Sequence, residues 1–229
     1  MSIELRYLGH SAFYIRKDKV GILIDPFLSQ NPSLKFDLKT EPLTHIFVSH
    51  GHSDHLGDAI PLSKATGAPI ITVFELANYC GAKGAVVMPV GLGGEIKFDW
   101  GSAYFLPAFH NSSTSNGVYA GSPASIILDV EGVKIFHAGD TAISQEMKLF
   151  KELYRPYYAL LPIGGHFTMG IKEAALAAKM LGVQEVIPMH YGTFDVIDVD
   201  PEQFRTIIEH QNQKCTILKP NESIEIKNE

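Results

Sequence analysis

Apolar and polar positions alternate through residues 3–7, an apolar run follows at 12–15, and residues 20–24 form a nearly unbroken apolar stretch that stops at Asp25-Pro26. Alternation predicts a half-buried strand, and the continuous run predicts a strand covered on both faces. A polar, proline-punctuated stretch spans residues 29–42, and a further short strand at 45–48 leads straight into a histidine-rich loop. Residues 58–66 read as a short helix closed by Gly67 and 69–73 as a strand, followed by a second short helix ended by Gly81.

The second half repeats this alternation. Segments 95–100 and 102–107 flank Gly101 as the arms of a hairpin would, and 125–130 and 134–136 flank Glu131-Gly132 in the same way. Amphipathic helices are predicted near 143–154, 171–181 and 201–211. In the middle one Ile171, Ala174, Ala178 and Leu181 share a face and Gly182 ends it. In the last, Asp200, Pro201 and Gln203 take the N-cap, N1 and N3 positions of a capping box. The hairpins over 11–25 and 125–140 each run apolar strand, charged turn, apolar strand, aspartate. Strands with covering helices, given twice, predict an α/β fold: two mixed sheets face to face with helices outside, a four-layer α/β/β/α sandwich. No linker separates the halves, so residues 1–229 are read as one domain.

Composition, 45% apolar and 19% charged, leaves this globular picture unchanged. Charge narrows the partners: the formal net charge is -6 and no Lys/Arg cluster offers a track for a phosphate backbone, so no nucleic acid is expected. Cys80 and Cys215 are far apart and outside any Cys-x-x-Cys pair, which suits reduced thiols in a cytoplasmic protein. Residues 1–6 alternate without a basic and then apolar leader, and no apolar stretch reaches bilayer length, so no membrane partner is expected.

Candidate chemistry concentrates in His50-Gly51-His52-Ser53-Asp54-His55, four ligand-type side chains within six residues. Imidazole and carboxylate suit zinc, and also manganese or iron, while the absence of neighbouring thiols points away from a structural zinc site and toward an open catalytic one. Taken singly, such histidines are surface loop residues; their density here argues for a shared ion.

The run His-x-His-x-Asp-His after a short apolar strand resembles the signature of the metallo-β-lactamase superfamily, and the resemblance extends over essentially the whole chain. Within it, Leu8-Gly9-His10-Ser11 and Ile24-Asp25-Pro26 resemble the branch of metal-dependent hydrolases related to ascorbate-6-phosphate lactonase and to the phospholipase D that acts on N-acyl-phosphatidylethanolamines. The resemblance implies three further ligands: His110 beyond the strand at 102–108, Asp140 in Phe136-His137-Ala138-Gly139-Asp140-Thr141, and His190 after Val186-Ile187-Pro188-Met189. It implies that His50, His52 and His110 hold one divalent ion, that Asp54, His55 and His190 hold another, and that Asp140 bridges them. Zinc is the first expectation, with manganese, iron or nickel as alternatives. Without the His50 loop, His110 would read as a cap on the polar loop 111–116, Asp140 as a helix N-cap and His190 as a strand-end histidine.

Two cations roughly 3.5 to 4 Å apart would lower the pKa of a shared water enough to supply hydroxide near neutral pH, while one of them polarises the scissile oxygen. Asp54, with a second oxygen free, would orient the hydroxide in a catalytic role. His166, in Pro162-Ile163-Gly164-Gly165-His166-Phe167-Thr168, is read either as a catalytic donor to the developing oxyanion or as a loop histidine. Asp25 ends a buried strand and so must accept hydrogen bonds, from the 50–55 loop or a ligating imidazole. His10 is placed beside it or else is a turn histidine. His137, on the opposite strand face from Asp140, is either a satisfied interior histidine or a partner of the ligands. Residues 111–116 with Tyr119 form the expected substrate-facing loop.

The leading expectation is hydrolysis of an ester, lactone or phosphoester of a small molecule, by a chain that the resemblance suggests is a homo-oligomer. A phosphodiesterase or nuclease is the nearest rival, with the acidic charge and the lack of a clamping domain against it. A di-iron redox protein is a third reading, against which His52 stands where that branch carries an acidic residue. A non-catalytic metal-binding sensor is the fourth.

Overall fold

The strand pattern resolves into two mixed sheets of seven strands each. In the computed structural model, which describes residues 2–31 and 41–227, the first sheet has the order β14 (Ser223–Ile226), β1 (Ile3–Gly9), β2 (Ala12–Lys17), β3 (Val20–Ile24), β4 (His45–Phe47), β5 (Ile70–Val73), β6 (Val87–Val90). The second has the order β13 (Lys214–Cys215), β12 (Glu185–Met189), β11 (Tyr158–Pro162), β10 (Val133–His137), β9 (Ala124–Val130), β8 (Gly101–Pro107), β7 (Glu95–Phe98). Both sheets pass through the same succession of pairings, three antiparallel and then three parallel. Strands β3 and β10 stand at the change from one to the other, and Asp25 and Asp140 lie just beyond them. The half-repeat read from the sequence therefore has a counterpart in the topology.

Burial follows the patterning. Strands β11 and β12 are covered along their whole length, as continuous apolar runs in parallel sheets require. The space between the sheets is filled by Phe13, Ile22, Ile24 and Phe47 from the first and Phe105, Ile126, Ile135 and Leu160 from the second, in one continuous cluster. Full burial of each such side chain contributes about 1.5–3 kcal/mol. On the other face of the first sheet, Leu8, Ala12, Tyr14 and Leu23 form a second cluster with Leu62 of α2 (Ala59–Thr66); α1 (Ser53–Leu56) is a single turn before it, and α3 (Phe74–Ala82) follows. Helices α4 (Glu146–Tyr154), α5 (Ile171–Leu181) and α6 (Pro201–His210) bury Phe150, Ala178 and Phe204 beside the second sheet. Among the described residues no helix is long and apolar enough to cross a membrane.

Several boundaries differ from the sequence reading for identifiable reasons. Helix α3 continues through Gly81, and the left-handed residue beyond it is Gly84, φ 88°, whose N–H donates to the Gly81 carbonyl. Helix α4 starts at Glu146 rather than near 143, because the segment before it is tied to the site: the Ala142 N–H donates to the Phe109 carbonyl at 3.0 Å. At α6 the Asp200 carboxylate accepts from the Glu202 N–H at 3.0 Å, not from Gln203. Strand β14 pairs with β1 across nearly the full length of the chain, Ile3 opposite Ile226, a contact no local pattern announces. Part of the polar stretch at 29–42 lies outside the described residues.

Candidate metal centre

Six of the candidate donors hang from the ends of strands. His50 and His52 follow β4, His110 follows β8, Asp140 follows β10, His190 follows β12, and His10 sits in the turn between β1 and β2. Ligand crevices in sheets with parallel strands form in this way, beyond the carboxyl ends where strand order changes. Asp54 and His55 are not in an open loop as expected: the chain closes into the single turn α1, which aims both side chains inward.

The donors form two groups, in each of which one ligand atom per residue lies within 4.8 Å of all the others: His50, His52, His110 and Asp140, and His10, Asp54, His55 and His190. In the first, His50 Nε2 faces His52 Nδ1 at 2.9 Å, and the His110 ring stands 5.2 and 5.1 Å from those of His50 and His52. In the second, Asp54 Oδ2 lies 3.0 Å from His10 Nε2, 3.9 Å from His55 Nε2 and 3.8 Å from His190 Nε2. Asp140 touches both groups. Its Oδ2 is 3.4 Å from His110 Nε2 and 3.2 Å from His190 Nε2, and its Oδ1 is 3.1 Å from His55 Nε2.

This donor set fits divalent cations. His55 Nε2, His190 Nε2 and Asp140 Oδ1 are buried, and each lacks a hydrogen-bond partner among the described residues. Such groups are costly when left unmet, and here they converge. Burial holds the His50, His52 and His110 imidazoles below the usual histidine range, in the neutral form that ligates. Burial opposes a charge on Asp140, but His55 and His190 outweigh it and hold the carboxyl well below the usual range. Burial disfavours a charge on His55 too, yet Asp140 and Asp25 raise that ring well above the ordinary value. A cation at Nε2 would have to displace its proton.

The donors are oriented from behind by Asp25, as a carboxylate at the end of a buried strand requires. It accepts from the Ser49 N–H at 2.7 Å, the Ser49 hydroxyl at 2.6 Å and His55 Nδ1 at 2.7 Å. Since the Ser49 proton goes to the carboxylate, its oxygen accepts from His50 Nδ1 at 3.0 Å. One carboxylate thus sets the ring of a histidine in each group. His10 lies beside Asp54 and Thr193 rather than beside Asp25, and sequence reasoning did not count it among the donors; the signal was the Gly9-His10 pair in a tight turn. His10, Asp25 and His190 all have left-handed backbones, φ 56°, 45° and 54°. This is strain of order 1–3 kcal/mol each, of the kind that collects at functional sites. His137 is satisfied by the backbone, donating to the Ser11 carbonyl at 2.9 Å and accepting from the Gly139 N–H at 3.1 Å.

His166 is not brought into either donor group. It is exposed, with its ring 4.6 Å from that of Phe167. Its loop does abut the site: a Cβ on Gly164 would collide with the His190 carbonyl, and the Met169 N–H donates to the Thr141 carbonyl at 3.2 Å. The loop at 111–119 closes over the other side, where Ser112 Oγ accepts from the Gly51 N–H at 3.2 Å and Tyr119 is left 66% exposed.

Gly51 allows that approach. A Cβ there would overlap the Ala120 methyl and press on the Ser113 carbonyl at 3.2 Å. Gly51→Ala is therefore expected to push the loop off the site, giving faster chymotryptic cleavage at Tyr119 and a turnover lower by up to about 10²-fold. Parent-like cleavage and turnover would show that the close approach is dispensable.

The sequence model of the β-lactamase superfamily domain matches residues 21–191, a span that holds every donor above except His10. A UPF0173 metal-dependent hydrolase of Methanosarcina barkeri is 44% identical over 99% of this chain and 100% of its own length. Another, from Pyrococcus furiosus, is 46% identical over 98% of this chain and 100% of its own. Among solved structures, Igni18, a metallo hydrolase of the hyperthermophilic archaeon Ignicoccus hospitalis, superposes with a TM-score of 0.92 at 36% identity, each chain covered completely.

Proposed function

From the premise that this chain belongs to the β-lactamase superfamily and, within it, to the UPF0173 metal-dependent hydrolases, we propose that it cleaves an ester, lactone or phosphoester of a small molecule at a centre of two divalent ions. The observation that carries this reading is the convergence of seven imidazole and carboxylate donors, with His10 beside them, in two groups that one of the seven, the buried Asp140, joins.

His50, His52 and His110 would hold one ion, Asp54, His55 and His190 the other, and Asp140 both; zinc fits these nitrogen and oxygen donors first, then manganese, iron or nickel. Such a pair supplies hydroxide near neutral pH and polarises the scissile oxygen. The protein's share is orientation and charge. Asp54 keeps its Oδ1 to orient the attacking water. Asp140 would offset the repulsion between two positive centres, and Asp25 fixes the rings of His50 and His55 through Ser49 and directly. His166 would reach the developing oxyanion from the loop that abuts His190.

The test is elemental analysis of protein purified without added metal, followed by turnover on a panel of chromogenic esters, lactones and phosphodiesters. Two ions per chain and hydrolysis of an ester or a lactone, with or without a phosphodiester, are expected. Bound metal with silence across the panel would favour a sensor, and activity confined to phosphodiesters the rival reading.

A further inference from the structure

His10 meets the geometric description of a ligand, with Nε2 in the same donor group as Asp54, His55 and His190. Its surroundings distinguish it from them. His55 Nε2 and His190 Nε2 lack hydrogen-bond partners among the described residues, whereas both nitrogens of His10 are engaged: Nε2 with Asp54 Oδ2 and Nδ1 with Thr193 Oγ1, each at 3.0 Å. On a neutral ring one proton arrangement satisfies both contacts. The Thr193 hydroxyl, which has the Tyr191 carbonyl 3.4 Å away as its other acceptor, turns its proton to the nearer Nδ1, and Nε2–H donates to the carboxylate.

The rest of the residue is fastened as firmly. Its carbonyl accepts from the His190 N–H at 2.7 Å and the Tyr7 hydroxyl at 3.1 Å, and its ring meets those of Phe27 and Phe194 edge-on at 5.5 Å each. The left-handed turn Gly9-His10, φ 94° and 56°, aims the ring at Asp54. Among the described residues no other hydrogen-bond donor reaches the Asp54 carboxylate, which is partly exposed, so its rotamer depends on this contact.

We propose that His10 is a positioning residue: through Nε2–H, with its tautomer set by Thr193, it holds the Asp54 carboxylate toward His55 and His190 and does not itself ligate. The inference rests on the dinuclear reading of the site. Outer partners of this kind typically contribute 10–100-fold to metal affinity.

The test titrates cobalt(II) into metal-free protein against a competing chelator and records the visible spectrum of the loaded chains. His10→Phe, which keeps an aromatic ring but removes both hydrogen bonds, should weaken the more weakly held cobalt by about 10–100-fold. His10→Gln, whose amide N–H takes the place of Nε2–H, should recover most of that affinity with unshifted bands. Thr193→Val, which leaves the ring in place, should fall between them and decides the matter should His10→Phe fail to fold. A band shift in His10→Gln indicating one ligand fewer, or parent affinity in both His10→Phe and Thr193→Val, would overturn the proposal. Uptake of two cobalt ions by the parent reads on the dinuclear centre alone, and a parent that binds none overturns both inferences.

Discussion

Asp140→Ala is expected to abolish hydrolysis and to lower the metal content of the protein as purified. Among the described residues Asp140 is the one side chain that meets His55, His110 and His190, at 3.1 to 3.4 Å, and so spans both donor groups. Its removal takes away a donor and the negative charge that makes two neighbouring cations tolerable. Lewis-acid stabilisation amounts to several kcal/mol, and at 1.36 kcal/mol per decade its loss corresponds to a fall in turnover of about 10³-fold or more. Asp140→Asn, which keeps the shape without the charge, should lose nearly as much. Turnover and ion content measured on the same preparations decide the matter: an active, fully metallated Asp140→Ala protein would refute the assignment.

The second large effect concerns stability. Asp25 is wholly buried and carries hydrogen bonds from Ser49 and His55. Burial alone would raise its carboxyl, but the nearby His55, reinforced by its hydrogen bond, outweighs that and holds it at about 2 against an ordinary 3.8. A carboxyl depressed in the folded state stabilises the fold above its unfolded pKa and ceases to do so as pH falls through the folded one. Its contribution should therefore be complete above pH 3.8 and disappear toward pH 2.

Asp25→Asn is the informative change because asparagine tolerates the left-handed φ of 45°, so the effect reports the lost charge rather than backbone strain. Removing one partner of a buried pair costs about 3–5 kcal/mol, which in a chain of this size corresponds to a fall in Tm of about 10 °C. The measurement belongs on metal-free protein, since bound ions would mask it. A gap between parent and variant that stays constant above pH 4 and narrows below it is expected; equal melting curves throughout would mean that the Asp25–His55 pair does not hold the site together.

Legibility in the sequence followed the range of the interaction. Strand β3 and helix α5 have the bounds that their patterns predict, because a continuous apolar run and a glycine-closed amphipathic face are local signals. The His50 loop was equally plain, four donors falling within six residues. Helix α1 was not, since one turn without a side-chain cap is too short to show a period. Gly81 read as a helix end although the chain turns three residues later, at Gly84, because a glycine declares freedom without stating whether it is used. Neither Ser49 between Asp25 and His50 nor Thr193 behind His10 could have been found, as each acts only through a partner placed by a distant strand.

By itself, then, the sequence determined the alternation of strands and covering helices, the repeated hairpin ending in aspartate and the chemical type of the donors, all of which depend on residues close along the chain. Which donors share a group, and that Asp140 reaches both, was implied by the family resemblance and by no local pattern; the tertiary structure supplied the distances and decided that His10 joins one group and stands against Asp54 rather than Asp25. These are set by the face-to-face packing of two sheets, which brings strand ends more than a hundred residues apart to within hydrogen-bond distance. Side-chain direction at a strand end depends on twist and packing summed over the whole sheet, and no short window of sequence carries that sum.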